Sequence, residues 1–164
     1  MLSRDLARPS RAPVPSEVTG PDERWIDVDS SAQTLVAYEG ARPVYATLVS
    51  TGRGPAGGPS ATPPGVHRIW VKIFTSDMAN VQSQDIDPHY SLEDVPYVQF
   101  FDDTVALHGT YWHGDFGHPR SHGCVNLSPL DSRWLFEFTE PRVPTGWAAA
   151  YPVSIDQGTA VRVR

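Results

Sequence analysis

Cysteine is almost absent from this chain: its 164 residues include one, Cys124, which excludes an internal disulfide and a Cys-rich zinc module. A lone cysteine is either a buried bystander or a reagent. Lysine is as scarce, with Lys72 the only one, and the other basic residues are arginine. The formal charge of −6 lacks the Lys and Arg excess that nucleic-acid surfaces need, so no nucleic-acid partner is expected. No run approaches the roughly 18 apolar residues of a membrane span. The first 24 residues carry no apolar core of a signal peptide, so the chain reads as soluble, without a membrane span of its own.

Other classes are present in quantity. Hydrophobic residues make up 40 % and charged residues 20 %, enough to bury a core and too apolar for a disordered polyelectrolyte. Thirteen glycines and sixteen prolines predict many turns and argue against a helical bundle. The length suits one domain. Pro9, Pro13, Pro15 and Pro21 among mixed charges mark residues 1–23 as a flexible leader or linker, and the domain is expected over 24–164.

Period-two alternation dominates from there. Trp25 to Asp29, Thr34 to Tyr38 and Val44 to Ser50 read as a β-meander. Residues 52–65 are mostly Gly and Pro and form a loop; Gly-Lys-Ser/Thr is absent, so this is not a phosphate cradle. Val66 to Phe74 alternates as one half-buried strand, with Ile69, Val71 and Ile73 on one face and Arg68, Trp70 and Lys72 on the other. Thr75 to Val95 shows no period and reads as a lid or binding loop. A hairpin around Asp102-Asp103 then delivers His108-Gly109.

One helix is expected: Ser128 as N-cap, Pro129 at the first helical position, Asp131 completing the box, core contacts from Leu130, Trp134 and Phe138, and a stop at Pro141. A last hairpin is expected around Gln157-Gly158. Eight strands and one helix make a mostly antiparallel β-domain.

Chemistry concentrates between His108 and Asn126, where four of the six histidines and the cysteine fall. Thiol catalysis needs a thiolate stabilised by a neighbouring imidazolium that a third group orients. His108, sixteen residues before Cys124, is far enough away for the chain to turn back and present it. The N–H groups of Gly123 and Cys124 can face an oxyanion. His122 competes as base, but residues two apart on one strand are too splayed for a good imidazole–thiol bond, so His108 is preferred and His122 is assigned to the pocket wall. Zinc is the other chemistry. His108, His113, His118 and His122 supply ligands, although their spacings of five, five and four match no helical zinc pattern. Cys124 as a buried apolar residue is the bland alternative. Between Lys72 and Arg120 lie Asp77, Asp85, Asp87, Glu93, Asp94, Asp102, Asp103 and Asp115 with no basic residue. That field is expected to attract an ammonium group and to stabilise a His108 cation.

The run Ser121-His122-Gly123-Cys124-Val125-Asn126, with His108-Gly109-Thr110 upstream, resembles the signature of the L,D-transpeptidase catalytic domain, also called the YkuD domain. Thr62-Pro63-Pro64-Gly65-Val66-His67-Arg68-Ile69 is similar to the family's strand entry, and Asn126-Leu127-Ser128-Pro129 leads into its helix. The resemblance implies an all-β, mainly antiparallel barrel or sandwich with one helix after the catalytic cysteine. It implies acyl transfer on peptidoglycan stem peptides, both donor and acceptor, without cofactor or metal, at the cell envelope in a periplasmic or extracytoplasmic setting. Covalent capture by a carbapenem and a monomeric state are also expected. Carried over, Cys124 is the nucleophile, His108 the base, the Gly109 carbonyl its orienter, and Gly123 with Cys124 the oxyanion donors. Ser121, His122 and Asn126 shape the pocket, and Thr110, Tyr111 and Trp112 complete the substrate-binding set. Many members carry Arg where this chain has Asn126, which bears on how a substrate carboxylate is held. The alternatives are a zinc-dependent cell-wall peptidase or amidase and a non-catalytic cell-wall binding module.

Overall fold

The computed structural model describes residues 11–79 and 91–164, and the expectations for residues 1–10, for Asp85 and Asp87, and for the middle of the 75–95 loop fall outside them. Ten strands and one α-helix are found among the described residues: β1 (Arg24–Asp29), β2 (Thr34–Glu39), β3 (Arg42–Leu48), β4 (Gly65–Arg68), β5 (Val71–Ala79), β6 (Ser91–Asp102), β7 (Val105–Gly109), β8 (Val125–Leu127), α1 (Pro129–Phe138), β9 (Ala149–Ala150) and β10 (Ala160–Val163). They form two five-stranded sheets, β3-β2-β1-β10-β4 and β8-β7-β6-β5-β9. Neither closes into a barrel, so the expected β-fold takes its sandwich form.

Alternation explains the packing. Ile26 and Val28 of β1, Leu35 and Ala37 of β2, and Val161 and Val163 of β10 point inward to meet Leu107, Val125 and Leu127 of the second sheet and Leu135 and Phe138 of α1 in one core. The outward side chains of the first sheet form a second cluster: Trp25, Val36, Tyr38 and Ala160, with Val18 packed on them. Most ladders are antiparallel, but β1 pairs with β10 and β7 with β8 in parallel.

The helix follows its caps. Ser128 Oγ accepts from the Asp131 N–H at 3.2 Å, and Pro129 opens the first turn. The buried face is Ser132, Leu135, Phe136 and Phe138; Leu130, expected in the core, is 80 % exposed. Trp134 is partly buried against the core and stacks on Tyr45 at 4.0 Å.

Four further expectations change. The strand expected over Val66 to Phe74 breaks at Ile69–Trp70, where the chain crosses from the first sheet to the second. The crossing also moves Lys72 to the inner face beside Gln99. There its Nζ–H groups reach the carbonyls of Phe136 and Thr139 at the end of α1, and burial pushes its pKa down to about 7.

The expected loop from Thr75 is instead a β5–β6 hairpin whose described arms run to Ala79 and from Ser91. A bulge near Ser76–Met78 and positive φ angles at Asp94 (51°) and Tyr97 (57°) explain why no period survives in its sequence. Residues Ile155–Gln157 make a 3-10 turn, and β10 pairs with β1 and β4 in place of the expected last hairpin. The two-residue β9, which pairs with β5, carries no sequence signal of its own.

Candidate active site

The parallel β7–β8 pair builds the centre of the site. Its register sets Leu107 against Val125 and His108 against Asn126, so Ala106, His108, Cys124 and Asn126 share the outer face of the second sheet. His108 and Cys124 are diagonal neighbours there. Leu107, Val125 and Leu127 face the core and hold both strands in place.

His108 is buried, and its Nδ1–H donates to the Gly109 carbonyl at 3.0 Å. This sets the tautomer and leaves Nε2 as the basic nitrogen. Burial pushes the His108 pKa down to about 4, the first cause being loss of hydration. Among the described residues the opposing influence is the hydrogen bond to the Gly109 carbonyl, and the positive charge of His113 adds to the downward shift. The indole of Trp112 lies over the imidazole at 5.8 Å between ring centres. Gly109 must be glycine, because a Cβ there would come within 2.5 Å of Ser132 Oγ on α1.

Cys124 is half-buried, packed against Ala106, with its thiol 3.9 Å from the Thr104 carbonyl. Burial pushes the thiol pKa up, opposed by the Ala106 N–H. Both shifts favour the uncharged thiol and imidazole over the thiolate–imidazolium pair that the sequence led one to expect.

A tight turn delivers the cysteine. Gly123 has φ of 140°, a conformation that favours glycine. Its N–H, expected to face an oxyanion, donates to Ser121 Oγ at 3.0 Å, and Ser121 Oγ donates to the Cys124 carbonyl. Thr62 Oγ1 donates to the Gly123 carbonyl at 2.7 Å while accepting from the Gly52 N–H. The 49–53 segment braces the other side: Ser50 and Asn126 exchange backbone hydrogen bonds at 2.9 and 3.0 Å, and the Arg53 N–H donates to the Ser121 carbonyl. The Gly- and Pro-rich loop thus holds the cysteine turn. Thr62 and Arg53 were absent from the sequence-derived site, although Thr62 opens the stretch that resembles the family's strand entry and Arg53 is the single charge between residues 52 and 65.

The remaining candidates separate. His122 meets Arg53, whose guanidinium donates to its Nε2, and burial followed by that positive charge pushes its pKa down. Its basic lone pair is engaged. Asn126 meets His113 Nε2 at 3.1 Å and so ties the 113 loop to β8. Thr110 is buried, its N–H on the Leu127 carbonyl at 2.8 Å and its Oγ1 without a partner. Tyr111 is exposed and donates to the Glu93 carbonyl. His118 is also exposed. Among the described residues no three His, Cys, Asp or Glu side chains converge, so the four histidines form no zinc ligand set.

Known proteins bear on this geometry. The profile of the YkuD family, described as the L,D-transpeptidase catalytic domain, matches residues 23–163. No curated protein sequence matches. Among solved structures, the Enterococcus faecium L,D-transpeptidase catalytic domain is 24 % identical with a TM-score of 0.65, covering 87 % of this chain and 98 % of that one. An L,D-transpeptidase from Mycobacterium smegmatis is 22 % identical, TM-score 0.67, covering 87 % and 58 %. One from Stackebrandtia nassauensis is 28 % identical, TM-score 0.54, covering 88 % and 57 %. The chain spans 50 % and 58 % of the first two solved structures it matches. With the profile covering most of its length and the sandwich shared, this chain belongs to the L,D-transpeptidase catalytic domain family.

Proposed function

We propose that this chain is a cysteine acyltransferase of the L,D-transpeptidase type that acts on peptidoglycan stem tetrapeptides at the cell wall, in a periplasmic or extracytoplasmic setting, with residues 24–164 as the catalytic unit. The observation that carries this reading is the β7–β8 register, which brings His108 and Cys124 to one sheet face with the imidazole tautomer already set by Gly109. The thiol turns from the Thr104 carbonyl toward His108 Nε2, which takes its proton as Sγ attacks the carbonyl of the third stem residue. The bond to D-alanine breaks, His108 gives the proton to the leaving amine, and a thioester remains. An acceptor amine then attacks the thioester. His108 takes its proton and returns it to the departing sulfur, leaving an amide cross-link and a free thiol.

Both groups start neutral, so His108 acts as a general base at the moment of attack and no standing ion pair is needed. The Cys124 N–H is the first oxyanion donor, and the Gly123 N–H joins it when Ser121 Oγ moves off. His113, Asn126, Tyr111 and Trp112 line the approach to this face.

One structural neighbour is an L,D-transpeptidase solved in complex with imipenem, which supports a direct test. Incubation with a carbapenem followed by intact mass is expected to show one adduct on the wild type and none on Cys124→Ala. No adduct on the wild type, or an adduct kept by Cys124→Ala, overturns the mechanism.

A further inference from the structure

A row of side chains crosses the outer face of the second sheet from the cysteine to the opposite edge. Cys124 lies across from Ala106, one step before the Leu107–Val125 pair. Ala106 pairs with Phe100, and Phe100 with Val71. Continuing the β5–β9 register one step past Lys72–Ala150 sets Tyr151 beside Val71. Residues paired in this way point to the same face. Trp70 bridges the last gap, its ring centre 5.7 Å from Phe100 and 6.5 Å from Tyr151. Tyr151 is 68 % exposed, and Trp70 and Phe100 are half-buried.

The opposite face of the same strands is closed, with Lys72, Gln99, Leu107 and Val125 fully buried. On the row's own face Ala106 and Val71 are buried and Phe100 packs with Val95, Val98 and Ala106, so packing accounts for the middle of the row and leaves Tyr151 and part of the Trp70 ring open at its far end. The row carries no charged side chain, which suits a neutral ligand with apolar faces and polar edges. A pyranose ring has that form: its axial C–H groups pack on the negative face of an aromatic ring while its hydroxyls stay in water.

Spacing agrees. Adjacent strands lie about 4.8 Å apart, so Phe100 sits roughly 10 Å and Tyr151 roughly 19 Å from the cysteine along the row. An extended peptide covers about 3.4 Å per residue, so a stem attacked at its third carbonyl reaches its sugar after roughly 10 Å. A stem laid along the row from the cysteine would therefore bring its sugar to Phe100.

We propose that Phe100, Trp70 and Tyr151 form a saccharide-binding shelf for the amino sugar that carries the stem peptide, an inference that rests on the acyl-transfer reading above. The shelf makes the enzyme prefer glycan-attached stems over free peptides. The test compares the Kd values of a disaccharide-tetrapeptide and of the free tetrapeptide, measured by calorimetry on Cys124→Ala protein, which cannot turn them over. The disaccharide form is expected to bind about tenfold more tightly. Adding Tyr151→Ala, an exposed position whose loss does not threaten the fold, or Trp70→Ala brings the ratio toward one. Equal Kd values in the Cys124→Ala protein, or a ratio that neither substitution changes, overturns the shelf. The carbapenem adduct on the wild type reports separately on acyl transfer, so the two readings fail in different experiments.

Discussion

The outer faces of the two sheets have been put to opposite uses. On the first sheet, Trp25 is fully buried: it stacks on Tyr38 at 4.3 Å, its Nε1–H donates to the Gly40 carbonyl at 2.7 Å, and the Arg162 guanidinium lies over its ring at 5.1 Å. Asp27 beside it is buried between Arg162 and Arg164, and Arg164 also reaches Asp29. Residues Ala12 to Val18 seal the face, with the Ala12 N–H on Tyr38 Oη and Arg162 on the Pro13 carbonyl. The outer face of the second sheet instead carries a thiol, an imidazole and half-open aromatic rings. Buried charges are paired on the closed face, while on the open face burial keeps the reactive groups uncharged. Stability is invested in one face and chemistry in the other.

That contrast can be broken in order of size. Trp25→Ala is expected to cost about 4 kcal/mol of unfolding free energy in a denaturant titration, while the protein that remains folded still forms the carbapenem adduct. Loss of adduct from folded Trp25→Ala protein would show that the two faces are coupled. His108→Ala is expected to slow acylation about a hundredfold or more, whereas His122→Ala, whose ring is engaged with Arg53, changes it far less; the reverse order would move the base to His122.

The smallest effect is in the pH profile. Burial opposes the imidazolium, so His108 loses its proton at lower pH than an ordinary histidine. The acylation rate should therefore rise as pH increases through about 4 and stay level through the usual histidine range. A rise centred at the ordinary value of 6.5 in stopped-flow fluorescence would mean that His108 is hydrated in the working enzyme.

Local chemistry carried much of this fold in the sequence. The alternation of Trp25 to Asp29 announced β1, and Ser128, Pro129 and Asp131 announced the start of α1, because caps and pleats act over a few residues. Long-range choices were hidden. Leu130 has the helical spacing of a core residue yet faces solvent, because the helix docks on the side that carries Leu135 and Phe138. Lys72 has the spacing of a polar-face residue yet is buried, because the carbonyls it satisfies lie more than sixty residues away.

The site divides in the same way. Residue chemistry and order by themselves singled out Cys124 as the one thiol and His108 over His122 as its base, and the wider match pointed to the family. Only the tertiary structure could decide that β7 and β8 lie parallel, which makes Cys124 and His108 diagonal neighbours on one face, since register depends on strands that meet across eighteen residues of sequence. Only it could engage His122 with Arg53, neutralise the thiol and imidazole by burial, and align Phe100, Trp70 and Tyr151 with the cysteine. A short segment can encode its own hydrogen bonds and periodicity; which face meets solvent is settled by everything packed on the other side.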